Sequence, residues 1–430
     1  MKVCIVGAGV VGSYLTRKLS REGYEIAVVD VDSSKLEHLS YSYDILAVNC
    51  NALEINCLKK VSSFDLFVIV TESEEKNLTI ATLLKALLKK EKVIVRVQNK
   101  ALSSPPVKEF LGLETVNILV ETVSTVISQV KYPFAQEVIR IENEGLLIIK
   151  YRVTVEDPFA GKQVKELYPV REIVDFTIVA VEREDRVIIP KGEAFIYPGD
   201  VIYVAVKEKD VQLLVEAFEI KYRPVTSVVV LGFSRFTEEL LARLSDFKDL
   251  KVKFVDSVKD NCEKVAGEFP GIEVFHGELT DVELLKSEGI EKTDLVVALS
   301  EDEELNVLTG ILSKKLGAGK ASALITHPEY EKIVPSVGID VPLVPRKLLA
   351  SKVYRQLSRR KYLEIVELSE EIDVVETEVP ESRAGKKIKE VGNELCGLVV
   401  AIKRKDGVEI AKGETRLEKG DKLICITRRQ

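Results

Sequence analysis

One long series of motifs occurs twice in this chain, in the same order. VCIVGAGVVGSYLTRKLS at 3–20 returns as VVVLGFSRFTEELLARLS at 228–245. LFVIVTESEEKNLTIATLL at 66–84 returns as LVVALSEDEELNVLTGILS at 295–313. AGKQVKEL at 160–167 and IPKGEAFIYPGDVIYV at 189–204 return as AGKKIKEV at 384–391 and IAKGETRLEKGDKLIC at 410–425. A period this long marks a duplicated two-domain unit and not a solenoid. Each unit opens with alternating strand and helix patterns and closes with a β-rich segment. The copies are unequal: the first keeps its glycines and the second has lost most of them.

The length of 430 residues fits roughly three to four domains. Apolar residues make up 46% and charged residues 30%, which describes a core-forming chain and excludes a disordered one. The net charge of −7 is spread over mixed acidic and basic residues, so a nucleic-acid surface is not expected. No run approaches the length of a membrane span. The six cysteines include no CxxC pair and are expected to be buried free thiols of a reducing cytoplasm. With three histidines, neither a metal site nor a general base for hydride transfer stands out.

Residues 1–120 alternate strand and helix, the pattern of a parallel sheet with right-handed crossovers. Strands are expected at VCIVGA, EIAVVD, DILAVNC, DLFVIVT and KVIVRVQ, and a sixth at VNILV over 116–120. A helix over 122–133 then leaves this domain. Residues 136–222 change period and read as a small α+β domain. Residues 225–345 repeat the first pattern, with an exit helix over 350–362, and 363–430 repeat the second. The fold class is therefore α/β. Two Rossmann-like doubly wound parallel-sheet domains are each followed by a small α+β domain.

The chemistry concentrates in the first copy. Gly7, Gly9 and Gly12 form a GxGxxG directly after a strand and opening a helix, with Ala8, Val10 and Val11 between them. Asp30 ends the next strand, at the spacing of a dinucleotide fingerprint. Gly7 permits the turn, Gly9 lets backbone approach a pyrophosphate, and Gly12 allows close helix packing. Asp30 is placed to accept from ribose hydroxyls. Thr71 and Glu72, after the fourth strand, are candidates to line an adenosine pocket. Glu74 and Glu75 fit a solvated helix start. Arg96 sits mid-strand, where a charge needs a partner: a phosphate, or an ion pair with Asp30 or Glu72. Glu121 lies near the same edge. In the second copy the loop reads Gly232, Phe233, Ser234, Arg235, Phe236, Thr237, and only the first glycine survives. Asp256, Ser300 and Glu301 remain, no arginine matches Arg96, and Arg346 matches Glu121. This half is expected to be structural, or to bind something different.

These residues resemble the RCK domains, regulators of potassium conductance, also called KTN domains. The resemblance runs through GxGxxG, Asp30, VTESEEKN, Arg96 and Glu121, and through the glycine–aspartate pairs Gly199–Asp200 and Gly420–Asp421. The tandem arrangement over the whole chain is similar to the TrkA family of regulatory subunits. The sequence departs from the family pattern at Asn51 and Ala52, where CNA stands in place of a GDA-type block. The resemblance implies binding of NAD(H), with ATP or ADP at the same site, through the loop 7–12, Asp30, Asn51, Ala52, Thr71, Glu72 and Arg96. It implies a non-enzymatic, cytoplasmic regulatory subunit. Such a subunit forms a homo-oligomeric, tetrameric ring on a TrkH-type integral membrane potassium channel subunit. The alternative from another class is an NAD-dependent oxidoreductase.

Overall fold

The computed structural model describes residues 2–21, 23–141, 145–184, 186–327, 330, 333–345, 363–367, 372–404 and 407–428. The expected exit helix over 350–362, and Arg346, lie outside the described residues. Each of the four segments marked out by sequence holds one sheet. The first is six-stranded, in the order β3-β2-β1-β4-β5-β6. Its strands are β1 Lys2–Val6, β2 Glu25–Asp30, β3 Leu46–Asn49, β4 Leu66–Ile69, β5 Lys92–Val97 and β6 Glu114–Asn117. Neighbouring strands pair in parallel throughout. This is the doubly wound order, with the reversal between β1 and β4 where such sheets bind ligands.

The central strands are apolar on both faces because helices cover both. Val3 and Ile5 join Leu15 and Leu19 of the helix Val10–Arg21 in one core. Cys4 and Val6 join Leu58, Ile80, Ala81 and Leu84 in the other. Each fully buried Leu or Ile contributes on the order of 1.5–3 kcal/mol. Residues 227–343 form a second parallel sheet of the same order.

The sixth strand ends sooner than the apolar run VNILV suggests. It stops at Asn117, and Ile118 opens the helix Ile118–Lys131. The Asn117 side chain explains the switch: its Oδ1 accepts from the Val120 amide at 3.1 Å and caps the helix.

The two smaller domains are antiparallel five-stranded sheets. One holds β7 Glu137–Ile141, β8 Leu146–Arg152, β9 Phe176–Arg183, β10 Arg186–Ile188 and β11 Val201–Lys207. With β12 to β17 in the parallel sheet over 227–343, the other holds β18 Leu363–Glu367, β19 Ile372–Glu378, β20 Leu398–Arg404, β21 Gly407–Ile410 and β22 Lys422–Arg428. Their orders, β10-β9-β11-β8-β7 and β18-β19-β22-β20-β21, are the same when read in opposite directions. The two glycine–aspartate pairs acquire a structural role here. Asp200 is buried and accepts from Arg183 Nε and Nη2, each at 2.7 Å. Asp421 receives Arg404 Nε at 3.2 Å in the matching place.

The chain groups into two compact units. One comprises Met1–Ile127 with Thr226–Leu357, and the other Ser128–Val225 with Ser358–Gln430. Like domains therefore associate across the duplication. In the first unit Arg243 Nη1 donates to Ser124 Oγ at 2.9 Å, joining the two parallel-sheet folds. In the second, one apolar cluster draws Ile148, Val179 and Tyr203 from one sheet and Val374, Val400 and Ile424 from the other.

The cysteines correct the expectation of free thiols. Cys50 pairs with Cys57 and Cys396 with Cys425, with Cα separations of 5.8 and 6.0 Å. Cys4 and Cys262 are free and buried. Neither bridge has a spacing that the sequence alone reveals: Cys50 follows a strand end and Cys57 lies in a helix turn, while Cys396 follows a helix and Cys425 lies mid-strand.

Candidate nucleotide site

The twelve candidate residues of the first copy come together at one edge of the first sheet. Parallel pairing puts the carboxyl ends of β1 to β5 side by side, and the loop 7–12, Asp30, Asn51, Ala52, Thr71, Glu72 and Arg96 all lie on or just after those ends. The three glycines have three different physical reasons. Gly7 has φ +108°, and a Cβ there would meet the Thr71 amide nitrogen at 3.0 Å. A Cβ on Gly12 would lie 1.8 Å from the Gly7 carbonyl oxygen. Around Gly9 a Cβ would meet nothing within 4 Å. Protein packing therefore explains Gly7 and Gly12 and leaves Gly9 facing open space, as backbone that must admit a ligand should.

Asp30 fixes this loop to the second strand. Its Oδ2 accepts from the Ala8 amide at 2.6 Å and its Oδ1 from the Asp32 amide at 2.9 Å. The carboxylate is half-buried, so lone pairs remain for ribose hydroxyls. Among the described residues, no side chain accepts from the amides of Gly9, Val10 or Val11 at the N-terminus of the helix. Val10 is exposed and Val11 partly so. This is an anion-ready helix end. Ala52 is buried, whereas Asn51 is exposed with its Oδ1 accepting from Leu53 N at 3.0 Å.

Thr71 is placed by a residue that sequence reasoning missed. Buried Asn77 accepts at Oδ1 from the Thr71 amide, at 3.1 Å, and from the Thr71 hydroxyl. Its Nδ2 donates to the carbonyl oxygens of Thr71 and Arg96, at 3.2 and 3.0 Å. One side chain thus ties the ends of β4 and β5 together. Asn306 repeats the arrangement with Ser300 and Leu324 in the second fold. The signal was present in the sequence as the asparagine shared by EEKN and EELN. Glu74 was expected to be solvated. It instead accepts from the Gln98 amide and, at 2.8 Å, from the Asn99 amide after β5. Glu72 is exposed.

Arg96 forms no ion pair with Asp30 or Glu72 among the described residues. Its guanidinium is held below its ordinary pKa, first by burial and then by the charge of Arg235, with Glu72 acting the other way. Arg235 opens the helix Arg235–Leu244 of the second fold. The charge of Arg235, from the second copy, thus bears on Arg96 at the candidate ligand edge of the first, an arrangement that favours an anion nearby. Glu121 lies in the first turn of the helix Ile118–Lys131 at the same edge.

The matching loop in the second fold is closed by its own side chains. Ser234 and Thr237 are buried. Ser234 Oγ accepts from the Phe236 amide at 3.4 Å, and Thr237 Oγ1 accepts from the Ser234 amide at 3.0 Å. Phe233 packs edge-on to Phe254, with Lys264 over its ring at 5.3 Å. The Ser234 and Phe236 amides, which match those of Gly9 and Val11, are already used.

The TrkA-N domain model matches residues 3–114 and 228–345, and the TrkA-C domain model matches 148–219. The chain is 31% identical to the Trk system potassium uptake protein TrkA homolog of Archaeoglobus fulgidus, over 100% of this chain and 97% of that one. It is 25% identical to the Trk system potassium uptake protein TrkA of Vibrio alginolyticus, over 99% and 95%. Among solved structures, the GsuK RCK domain superposes with a TM-score of 0.65 at 19% identity, covering 99% of this chain and 92% of that one. The GsuK channel bound to NAD gives 0.67 at 19% identity, covering 99% and 76%. These structural likenesses bear on the fold.

Proposed function

The chain belongs to the TrkA family, and we propose that it is a non-enzymatic, nucleotide-binding regulatory subunit that gates a Trk-type potassium uptake channel. The observation that carries this reading is the glycine loop. Gly7 and Gly12 are fixed by packing, Gly9 faces open space, and Asp30 pins the loop from the adjacent strand end. NAD(H), or ATP or ADP at the same place, is the ligand class that suits these groups. The helix N-terminus and Arg96 would hold phosphates, Asp30 the ribose, and the segment Asn51–Ala52 with Thr71 and Glu72 the adenosine side. The bound ligand supplies negative charge and no reacting atom. Among the described residues no helix is long and apolar enough to cross a membrane. The names of the Trk relatives support a separate, TrkH-type membrane subunit as partner, with this protein as a homo-oligomeric, tetrameric ring on its cytoplasmic face.

The mechanism is differential binding. In this reading Arg96 and the charge of Arg235, one from each copy, act on the same ligand. A ligand that draws both cations favours the packing in which they are close, and shifts the equilibrium by the difference in its affinities for the two arrangements. Coupling of about 1–3 kcal/mol is typical of such linkage.

Titration of the full chain with NADH, NAD, ATP and ADP tests the reading. At least one should bind saturably, and Asp30→Ala should weaken it roughly ten- to a hundred-fold through lost charge-assisted hydrogen bonds. No saturable binding of any of the four would overturn the proposal. Steady NADH oxidation with ketone, aldehyde or quinone acceptors would replace it with an oxidoreductase.

A further inference from the structure

The corner that carries Asp30 is shaped by residues after the third strand. Asn49 Nδ2 donates to the carbonyl oxygens of Asp30 and Val31, at 3.1 and 3.0 Å. The Cys50 amide also donates to the Asp30 carbonyl, at 3.1 Å. A tight turn follows, in which the Glu54 amide donates to the Asn51 carbonyl at 3.0 Å. It leads into the helix Ile55–Lys60, whose N-terminus has no side-chain cap. A helix of six residues does not sustain itself in isolation. Buried Leu58 and Val61 anchor its far end. The Cys50–Cys57 bridge anchors its first turn, and so encloses Asn51 and Ala52 of the nucleotide edge.

The second fold supplies an internal control. There the Gly277 amide donates to the Asp256 carbonyl at 3.0 Å, as Cys50 does to Asp30, and His276 Nε2 lies 3.1 Å from the Ser257 carbonyl, as Asn49 lies near Val31. In this register Gly277 matches Cys50 and Leu284 matches Cys57. A Cβ on Gly277 would lie 2.5 Å from Leu284 Cδ2. The fold thus presses these two positions together in both copies, and a glycine–leucine contact serves the second. The disulfide occurs only in the copy that keeps the glycine loop, so the fold alone does not demand it. It also differs from the other bridge: Cys396 and Cys425 are both buried, whereas Cys50 is half-exposed.

We propose that Cys50 and Cys57 form a reversible thiol–disulfide site that sets nucleotide affinity, an inference that rests on the nucleotide reading of the first fold. A dithiol reductant attacks the bridge through its thiolate. The Cys50–Cys57 bond breaks, two electrons and two protons pass to the cysteine thiols, and the reductant leaves as its own disulfide. Reduction frees the first turn of the helix and the Asn51–Ala52 segment, while Leu58 and Val61 stay in the core. Binding is therefore weakened and not abolished. By linkage, nucleotide in turn favours the disulfide.

The test uses the full chain. Alkylation and peptide mass analysis count the thiols before and after dithiothreitol, and NADH is titrated into both forms. The reduced form should bind about fivefold more weakly, at the low end of ordinary coupling. Saturating NADH should then lower the midpoint potential of this bridge by about 20 mV, at 29.6 mV per tenfold for two electrons. Cys50→Ser should bind like the reduced protein and ignore dithiothreitol, although its Cys396–Cys425 bridge remains. Equal NADH affinity in both forms overturns the inference. So does a Cys50→Ser protein that still responds to reductant, or failure of the bridge to form under oxidising conditions. NADH binding to neither form overturns the nucleotide reading itself.

Discussion

The Thr237 hydroxyl donates to the Gly232 carbonyl oxygen at 3.2 Å. In the first fold the matching oxygen, on Gly7, is the atom that a Cβ on Gly12 would strike. The same point of close approach is thus resolved in two ways. The first copy removes the side chain and keeps the loop tight. The second keeps a side chain, bonds it to the oxygen, and lets the loop fold over its own helix end. A tight loop leaves backbone amides for a ligand, and the self-bonded loop uses two of the matching ones, on Ser234 and Phe236.

Gly12→Ala should therefore do more than remove a ligand contact. Overpacking against backbone costs about 1–3 kcal/mol and displaces the loop. The variant should unfold at lower temperature and lose NADH binding. Thr237→Gly should destabilise the second fold without creating a site there, because Ser234 still caps the helix. Thermal unfolding followed by circular dichroism, with calorimetric titration alongside, checks both. A Gly12→Ala protein with unchanged stability and affinity contradicts the packing argument.

Asn77 and Asn306 separate folding from binding. Both are buried, and each ties two strand ends through both ends of its amide. Replacing either by alanine leaves buried backbone groups unsatisfied, at a cost of about 1–3 kcal/mol. The stability losses should be alike. Only Asn77→Ala should also weaken NADH, because only it positions Thr71 and Arg96. Equal effects of the two variants on NADH affinity would place the ligand elsewhere.

Periodicity and repetition made the strand order legible, because parallel strands buried on both faces read as continuous apolar runs and the duplication repeats each reading. The glycines and Asp30 were legible because their roles depend on local backbone. Arg235 was not, since its meaning arises from one copy approaching the other. Asn77 and Asn49 were missed for a related reason: each serves carbonyl oxygens on distant strand ends, which leave no trace in spacing. The disulfides escaped because cysteines in apolar runs look like packing until the fold brings a helix and a strand together. The break at Asn117 was obscured by VNILV, an apolar run that suits a strand and a helix start equally.

Asp200 gives the second unit a sign-definite pH dependence. Burial alone would raise its carboxyl, but the Arg183 guanidinium and the Tyr197 amide outweigh that and hold it below the ordinary carboxylate range. A depressed carboxylate contributes stability above its unfolded pKa, about 3.9, and loses it as pH falls through the folded value. Asp200→Asn should cost about 2 kcal/mol at neutral pH, discounted for the partly exposed Arg183. The gap from the unmodified chain should close below about pH 4. Urea unfolding at several pH values measures it. A gap that persists undiminished into acid would show that the loss is packing and not charge.

In the proposed mechanism Arg235 is the residue through which the second copy acts on binding. Without ligand, Arg96 bears burial and a like charge from Arg235, with Glu72 as partial relief. Removing Arg235 relieves that repulsion, so Arg235→Ala should leave the free protein as stable or slightly more stable, by about 0.5 kcal/mol. The same change removes a cation from the phosphate edge. It should weaken ATP more than NADH, since ATP presents more phosphate charge, by roughly fivefold for an exposed cation. Higher salt should narrow the difference, because screening acts on the exposed Arg235 more than on the partly buried Arg96. Arg235→Lys should restore part of it, keeping charge and losing the planar fork. Calorimetric titration of ATP and NADH at two salt concentrations distinguishes these outcomes. If Arg235→Ala binds both ligands as tightly as the unmodified chain, the second fold contributes no charge to the first fold's ligand. Coupling between the copies would then have to run through packing alone, at contacts such as Arg243 with Ser124.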